Sequence, residues 1–426
     1  GNSYNTAVGM EAGRELTTGI KNVFIGGFAG QNSTDVDQSV LIGYGAGDSI
    51  LTSDADGTVG IGAFAASTIT SGIGNTAVGY EALDAEDDGD QNTAIGYQTL
   101  TDQTGTTGTV GNTALGYKAG KGVVKGTRNT FIGTESGLVA SASSAIDNVG
   151  VGAISLKAMV SGSSNTAVGT WAAQQMVNAS KTVAIGYYTL ANALTSTDID
   201  GSVAIGYASQ AENRTGQGLT SVGFETLLSD VNGDFSTAIG YQALKTQNGI
   251  NGTVANTAVG YQAGLAITTG VHNVAIGYLS LDEITTGGYN VAIGREALGN
   301  CDGAESENTA IGDRAGLTID NGSNNILIGA NAQPSTAAAS NQIVLGKDAT
   351  GVANNAVTLG NASISNIYMS QDAGATVFAN YLALGLGTTA PESGIEVRLD
   401  DSLGQLQLGD NSGNIYHRYY VSMSGA

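Results

Sequence analysis

A single cysteine, two prolines and two histidines are all that 426 residues contain of those types, and each scarcity removes a class of reading. One thiol, Cys301, cannot build an intramolecular disulfide framework, and it leaves the redox compartment open. Two prolines, with glycine irregularly spaced, exclude a collagen-like helix. Basic residues are also few, 15 against 37 acidic, for a net charge of −22. Nucleic acids and anionic membranes both demand clusters of Lys and Arg, so neither is an expected partner. No apolar run approaches the roughly 18 residues that span a bilayer. Charged residues make up only 12%, too few for a disordered tail, and Leu and Phe are too scarce for a helical domain.

What the chain does have is glycine, 65 of them, together with Ala, Val, Ile and Thr, a composition suited to many short strands joined by tight turns. The glycines fall into a register. Asn75-Thr76-Ala77-Val78-Gly79-Tyr80 recurs in variant form from Asn5 to Gly360, giving 21 copies in which 13 of the 20 intervals are 17 residues long. Most of the others are 18 to 20 residues and tend to fall at every third step, as at Gly43 to Gly62 and Gly96 to Gly116. Such a period describes one supersecondary unit stacked many times, with about one coil in three carrying a longer loop.

The residue before the motif glycine is Val, Ile or Leu in every copy, and the residue two earlier is Thr, Val or Ile. Side chains alternate along a strand, so these two columns share a face. The column between them is mostly Ala but becomes Phe24, Leu41, Phe131 and Leu327, making both faces apolar. The branched columns are expected to fill the coil, threonines included, and the Ala column to meet a neighbouring chain. On that reading Val78→Asp would bury an unpaired charge and a flat outward Thr array is not expected. Asn precedes the run in 13 copies and Ser or Thr in five, which suits a laddered corner. The motif glycine is expected to permit a bend or close backbone approach. A small residue three positions later marks a second corner, followed by a weaker second strand and a polar turn such as Thr17-Thr18-Gly19.

Each unit therefore reads as one coil of an all-β parallel β-solenoid, about 20 coils of 17 to 20 residues over residues 1–361. The remaining 362–426, where the register is lost, read as a β-rich connecting or tip region that includes Ile395 to Leu399, Leu406 to Leu408 and Ile415 to Val421.

Few residues invite chemistry, and no catalytic, cofactor-binding or metal residue is assigned. His272 stands at a variable turn position beside a repeat Asn, and Cys301 has no recurrent His partner for nucleophilic work. Four acidic loops can offer oxygens to calcium: Asp54-Ala55-Asp56-Gly57, Asp87-Asp88-Gly89-Asp90, Asp230-Val231-Asn232-Gly233-Asp234 and Asp320-Asn321-Gly322. They lack a full calcium-loop pattern and read first as hydrated turns, so that trimming 87–90 should leave the coil intact. Tyr follows the motif glycine in nine copies, among them Tyr44, Tyr80, Tyr97, Tyr117 and Tyr187, with Phe224 in a tenth. That column suits packing between coils or chains, with sugar stacking as the alternative.

The strings Asn75 to Tyr80 and Ser202-Val203-Ala204-Ile205-Gly206 resemble the head repeats of trimeric autotransporter adhesins, which also occur in shafts of bacteriophage tail fibres. The resemblance covers about residues 1–361. It implies a left-handed β-roll in which three chains pack side by side, a virion or extracellular location, and as partners further fibre or baseplate proteins and a host-surface glycan or protein. The period here is longer than is usual in adhesin heads, and neither a heptad stalk nor a membrane anchor is visible. Those departures favour a phage tail fibre shaft that projects a recognition tip. A bacterial surface adhesin whose shaft binds the receptor is the alternative, and a polysaccharide-degrading fibre is a third. The segment Ala383 to Pro391 looks like the Gly-rich segments that precede a C-terminal chaperone or tip in such fibres. The opening Gly1-Asn2-Ser3-Tyr4 and the abrupt end at Ala426 suit a fragment or a processed product.

Overall fold

The computed structural model describes residues 3–364 apart from 50–54, 105–107, 140–142, 194–198 and 249–251, together with Ile367 and the strands Leu406–Gly409 and Ile415–Tyr419. Contacts divide the chain into two compact units, Gly1–Ile364 and Ser365–Ala426.

The first unit is a parallel β-solenoid. Each motif contributes a three-residue strand, from Thr6–Val8 to Val357–Leu359, and 21 of these form one parallel sheet. Every strand pairs in register with the next, Thr76 with Thr93 and Val78 with Ile95 for example. The longer intervals leave the register untouched, since Val40 pairs with Val59 and Thr93 with Thr113 just as the 17-residue neighbours do. Their extra residues are therefore accommodated away from the strand. At the usual strand spacing of about 4.8 Å the sheet extends on the order of 100 Å.

The two faces of the strand are the reverse of the sequence expectation. The middle column points inward: Ala77, Ala94, Phe24, Leu41, Phe131 and Leu327 are all buried. The branched columns point outward, with Thr76 and Val78 half-buried and Ile95 exposed. The cause is space. The coil interior must hold the middle strand residue together with the buried third and fourth residues after the glycine, such as Ala82 and Leu83. Two rows of β-branched side chains would not fit beside them at interior packing density.

The expected second strand is also absent in its regular form. The return side of the coil is a run of turns in which the second and fourth residues after the glycine adopt positive φ, Glu81 at +50° and Leu83 at +53° in one coil, Gln98 and Leu100 both at +50° in the next. This conformation is disfavoured for such residues by about 1–2 kcal/mol each. Coil-to-coil hydrogen bonds hold it, with Leu83 N–H donating to Thr99 O at 2.9 Å and Gln98 N–H to Tyr80 O at 2.8 Å. Among the described residues, pairing on this side takes the form of two-residue ladders, Gly89–Asp90 with Gly108–Thr109 and Gly233–Asp234 with Gly252–Thr253, and isolated parallel bridges such as Val123 to Ser143.

Two devices close the corners. The Asn column forms the expected ladder: Asn92 N–H donates to Asn75 Oδ1 at 2.8 Å, while Asn75 Nδ2 donates to Gly89 O at 2.7 Å. Each side chain thus satisfies two backbone groups that the turn would otherwise bury unpaired. The motif glycines sit at φ between +127° and +145° from Gly9 to Gly346, and a Cβ on Gly79 would overlap the carbonyl of Gly96.

In the second unit the described strands, Leu406–Gly409 and Ile415–Tyr419, pair antiparallel with an irregularity between Leu408 and Gly409. The segments 383–391 and 395–399 lie outside the described residues.

Candidate functional site: the exposed sheet face

The outward turn of the branched columns creates a long exposed strip along the sheet. One column carries Thr, Val or Ile and the other Val, Ile or Leu on all 21 rungs. In the second column Ile25, Ile61, Ile95, Leu115, Ile185, Ile239, Ile276, Ile311 and Ile328 are each 37–45% exposed. Threonine occupies ten of the 21 rungs of the first column, so the face is a flat apolar strip with interspersed hydroxyls. A strip about 100 Å long and about 10 Å wide presents on the order of 1,000 Å², beyond the few hundred Å² that a monomeric surface ordinarily leaves open.

An aromatic column borders this strip. Tyr187, Tyr207, Phe224, Tyr241, Tyr261 and Tyr278 stack in sequence, with centroids 4.9–5.5 Å apart and planes within 13°. A shorter stack joins Tyr80, Tyr97 and Tyr117 at 5.2 and 5.5 Å, and the Lys118 ammonium lies 4.9 Å from the centroid of Tyr117. Packing between coils is the role this geometry shows. The rings pair through their faces and present edges and hydroxyls outward, whereas a sugar stacks on a ring face.

Beside the rings runs a polar column. Gln98 Nε2 donates to Glu81 Oε2 at 2.6 Å, and Lys121 Nζ donates to Gln98 Oε1 at 3.1 Å. The Gln98 and Tyr80 hydrogen bonds hold Glu81 below the usual carboxylate range. Glu225 and Gln242 repeat the Glu81 and Gln98 contact further along the rod, Gln242 Nε2 donating to Glu225 Oε2 at 2.8 Å, while a lysine from a different coil position, Lys245, pairs with Glu225 itself at 2.7 Å.

The acidic loops resolve into corner chemistry. Asp56 Oδ1 accepts from Asp37 N–H at 2.6 Å, Asp90 Oδ1 from Ile73 N–H at 2.8 Å, and Asp234 Oδ1 from Gln217 N–H at 2.9 Å. One Asp in each of three loops therefore ties its coil to the one before. The 87–90 segment also supplies Asp87 O to Thr70 and Ser71 N–H groups and Gly89 O to Asn75. It is a structural corner and not the dispensable loop expected from sequence.

Asp230 behaves differently. It is fully enclosed, its Oδ1 accepting from Gly233 N–H at 2.9 Å and its Oδ2 from Gln247 Nε2 at 2.6 Å. Burial outweighs these bonds and pushes its pKa to about 6, and burial raises Asp282 likewise to about 6. Because the folded value of Asp230 lies above the unfolded value near 3.8, its contribution is fully present below pH 3.8 and is lost as pH rises through 6. The penalty at pH 8 is of the order of 3 kcal/mol. Thermal stability should therefore fall between pH 4 and pH 8, and Asp230→Asn should flatten that slope. An unchanged slope in the variant would remove Asp230 as its source.

Three further carboxylates, Asp302, Glu305 and Asp320, bring one oxygen each within 4.8 Å of one another. The buried member is already engaged, Glu305 accepting from Gly303 N–H at 3.0 Å and Asn321 N–H at 2.8 Å. His272 stands at a corner with φ +56°, its ring 5.0 Å from that of Tyr289. Cys301 is enclosed among apolar side chains that include Leu298 and Ile319. Burial pushes its thiol well up, the opposite of an activated nucleophile. A groove of about 360 Å³ is lined by Leu138, Val139, Lys157, Ala158, Gln174 and Gln175, and its one charged group is held by Glu135 at 2.8 Å.

No protein-family model matches the chain, and no curated protein matches its sequence.

Proposed function

We propose that the chain is the non-enzymatic shaft of a fibre, three copies packed side by side through the exposed sheet face, that holds a recognition element away from a virion or cell surface. The observation that carries this reading is the unbroken apolar strip on all 21 rungs. Enclosing a strip of that size against further copies would bury an area typical of stable assemblies, above about 1,200 Å² in total. A rod whose every rung repeats the same ladder also suits load-bearing over length, because each coil depends only on its neighbours. The repeat strings add the trimeric arrangement, and a phage tail fibre fits best among the carriers of such repeats. A shaft-borne sugar site, as in a surface adhesin, is less well supported, since most ring faces in the stacked runs of the aromatic column are already occupied by neighbouring rings.

Sedimentation equilibrium should give close to three times the chain mass of 42.6 kDa, and a monodisperse monomer or dimer would overturn the trimer. Val78→Asp combined with Ile95→Asp should break the assembly while leaving the coil folded, because both side chains reach solvent in the single chain. If the double variant remains assembled, the interface lies elsewhere on the rod.

A further inference from the structure

The sheet runs unbroken through the solenoid, but the buried apolar core does not. Buried side chains form two contiguous clusters, one from Phe24 to Ala204 and one from Leu219 to Ala349. Between them the interior turns polar. In eight of the 21 coils the fourth residue after the motif glycine is a buried Leu, as at Leu83, Leu100, Leu190 and Leu244, and in nine others it is Gly or Ala, but after Gly206 it is the fully buried Gln210. The seventh residue, Met159, Met176 or Ile267 elsewhere, is here Asn213. Ser209, Ser221 and Thr226 complete the layer.

These groups satisfy one another. Ser209 Oγ lies 2.9 Å from Thr226 Oγ1, Gln210 Nε2 donates to Ser221 Oγ at 2.8 Å, and Asn213 Nδ2 donates to Gln210 Oε1 at 3.3 Å and Gly216 O at 2.9 Å. The corner changes at the same place. The Asn ladder runs from Asn75 to Asn165 and from Asn256 to Asn325, while Thr182, Ser202, Leu219 and Ser236 stand at its positions between. Asn213 takes over the Gly216 carbonyl that a corner Asn at 202 would have served.

Two other places act as internal controls. Glu86 and Gln103 put polar groups into the seventh-residue column, yet Leu83 and Leu100 remain and the corner Asn75, Asn92 and Asn112 are intact. Ser39 and Thr58 interrupt the Asn corner, yet the interior keeps Leu41, Ala66 and Ile69. The first apolar cluster runs through both. Beyond Leu219 and Ser236, which also lack the corner Asn, the seventh residues Asp230 and Gln247 are polar too, but Leu227 and Leu244 keep the fourth column apolar. Among the described residues only the coil after Gly206 joins a buried polar fourth residue, a buried polar seventh residue and the missing corner.

We infer that this polar layer divides the rod into two cooperative blocks, Thr6 to Ala204 and Leu219 to Leu359, so that one can unfold while the other stays folded. In a stacked repeat, cooperativity is the coupling between adjacent coils. That coupling comes mainly from shared apolar burial, which is reduced here to small side chains such as Ala208 and Ala211, while satisfied polar pairs exchange bonds with water at little net gain. The backbone ladder remains as the link. Such a boundary would let a loaded fibre lengthen by one block without losing the other.

The chain's one tryptophan, Trp171, lies in the first block with its ring 5.1 Å from that of Tyr187. Full-length protein should be unfolded in urea with tryptophan fluorescence and far-ultraviolet circular dichroism recorded together. The inference expects two separated midpoints by dichroism, with fluorescence following only one of them. In Trp171→Tyr combined with Tyr261→Trp, fluorescence should follow the other. Proteolysis between the midpoints should yield a protected fragment bounded near 204–219. Coincident single transitions by both probes, or a fragment bounded in another region, would overturn it. Ser202→Asn, Gln210→Leu, Asn213→Ile and Leu219→Asn together restore the residues of other coils and should merge the two midpoints. A folded quadruple variant that still unfolds in two steps would also overturn it, and the wild-type measurements decide the matter should that variant fail to fold.

Discussion

Gly79→Ala is expected to destabilise the solenoid by on the order of 3 kcal/mol or more. Gly79 sits at φ +138°, and its added Cβ would overlap the Gly96 carbonyl. Relief by backbone movement is blocked because the arrangement repeats: a Cβ on Gly62 would meet Gly79, and one on Gly96 would meet Gly116. Moving one coil misaligns the hydrogen bonds on both sides, Gly79 N–H to Ile61 O at 2.8 Å and Gly96 N–H to Val78 O at 2.7 Å. Gly74→Ala separates this close approach from backbone strain alone. Gly74 also has positive φ, +66°, but a Cβ there meets nothing within 4 Å. The same corner position carries Lys21, Gln91 and Arg128 at φ +56° to +62° in other coils. Urea midpoints should place Gly74→Ala within about 1 kcal/mol of wild type and Gly79→Ala far below. Equal losses in the two variants would mean that φ, and not contact between coils, explains the invariance of the motif glycine along this chain.

The period, the Asn corner and the close-approach glycine were legible because each rests on a residue whose chemistry is nearly unique. The Asn amide offers a separate donor and acceptor long enough to reach both Gly89 O and Asn92 N–H from the Asn75 position, and only Gly fits at Gly79. The direction of the strand faces was not legible from apolarity, since both faces are apolar and a three-residue strand has too little alternation to choose. The return side was hidden for another reason. Leu83, Glu81 and Gln98 have no preference for positive φ, and hydrogen bonds between coils impose it. Of the acidic loops, Asp56 does sit in a turn, whereas Asp90 and Asp234 lie in two-residue ladders, and an acceptor aimed at the previous coil cannot be told from a solvated carboxylate by sequence. For the candidate site, the aromatic column was visible at the residue after the glycine. The apolar strip beside it was not, because its side chains had been assigned to the interior.

A signal for the faces was nevertheless present, in paired volumes. Wherever the fourth residue after the glycine is Leu the middle strand residue is small, as in Ala77 with Leu83, Ala94 with Leu100 and Ala184 with Leu190, and it is Ala, Gly or Ser in all eight such copies. Where it is Phe24, Leu41 or Phe131 the fourth residue is Gly30, Gly47 or Gly137, and no large middle residue is paired with Leu. Such an exchange is expected only if the two positions share one enclosed space. At Phe131 the sharing is direct, because a Cβ on Gly137 would fall within the phenyl ring. Phe131→Ala is therefore expected to cost about 3–5 kcal/mol by leaving an unfilled cavity. Gly137→Leu alone should cost about 1–3 kcal/mol by overpacking. Combined, they recreate the Ala and Leu pair of other coils, and the backbone at Gly137, φ +64°, is close to that of Leu83 at +53°. The double variant should thus recover much of the loss, and a double-mutant cycle should give a coupling of more than about 2 kcal/mol. Additive losses would mean that the two side chains occupy separate spaces, and the middle column would no longer be the core of the coil.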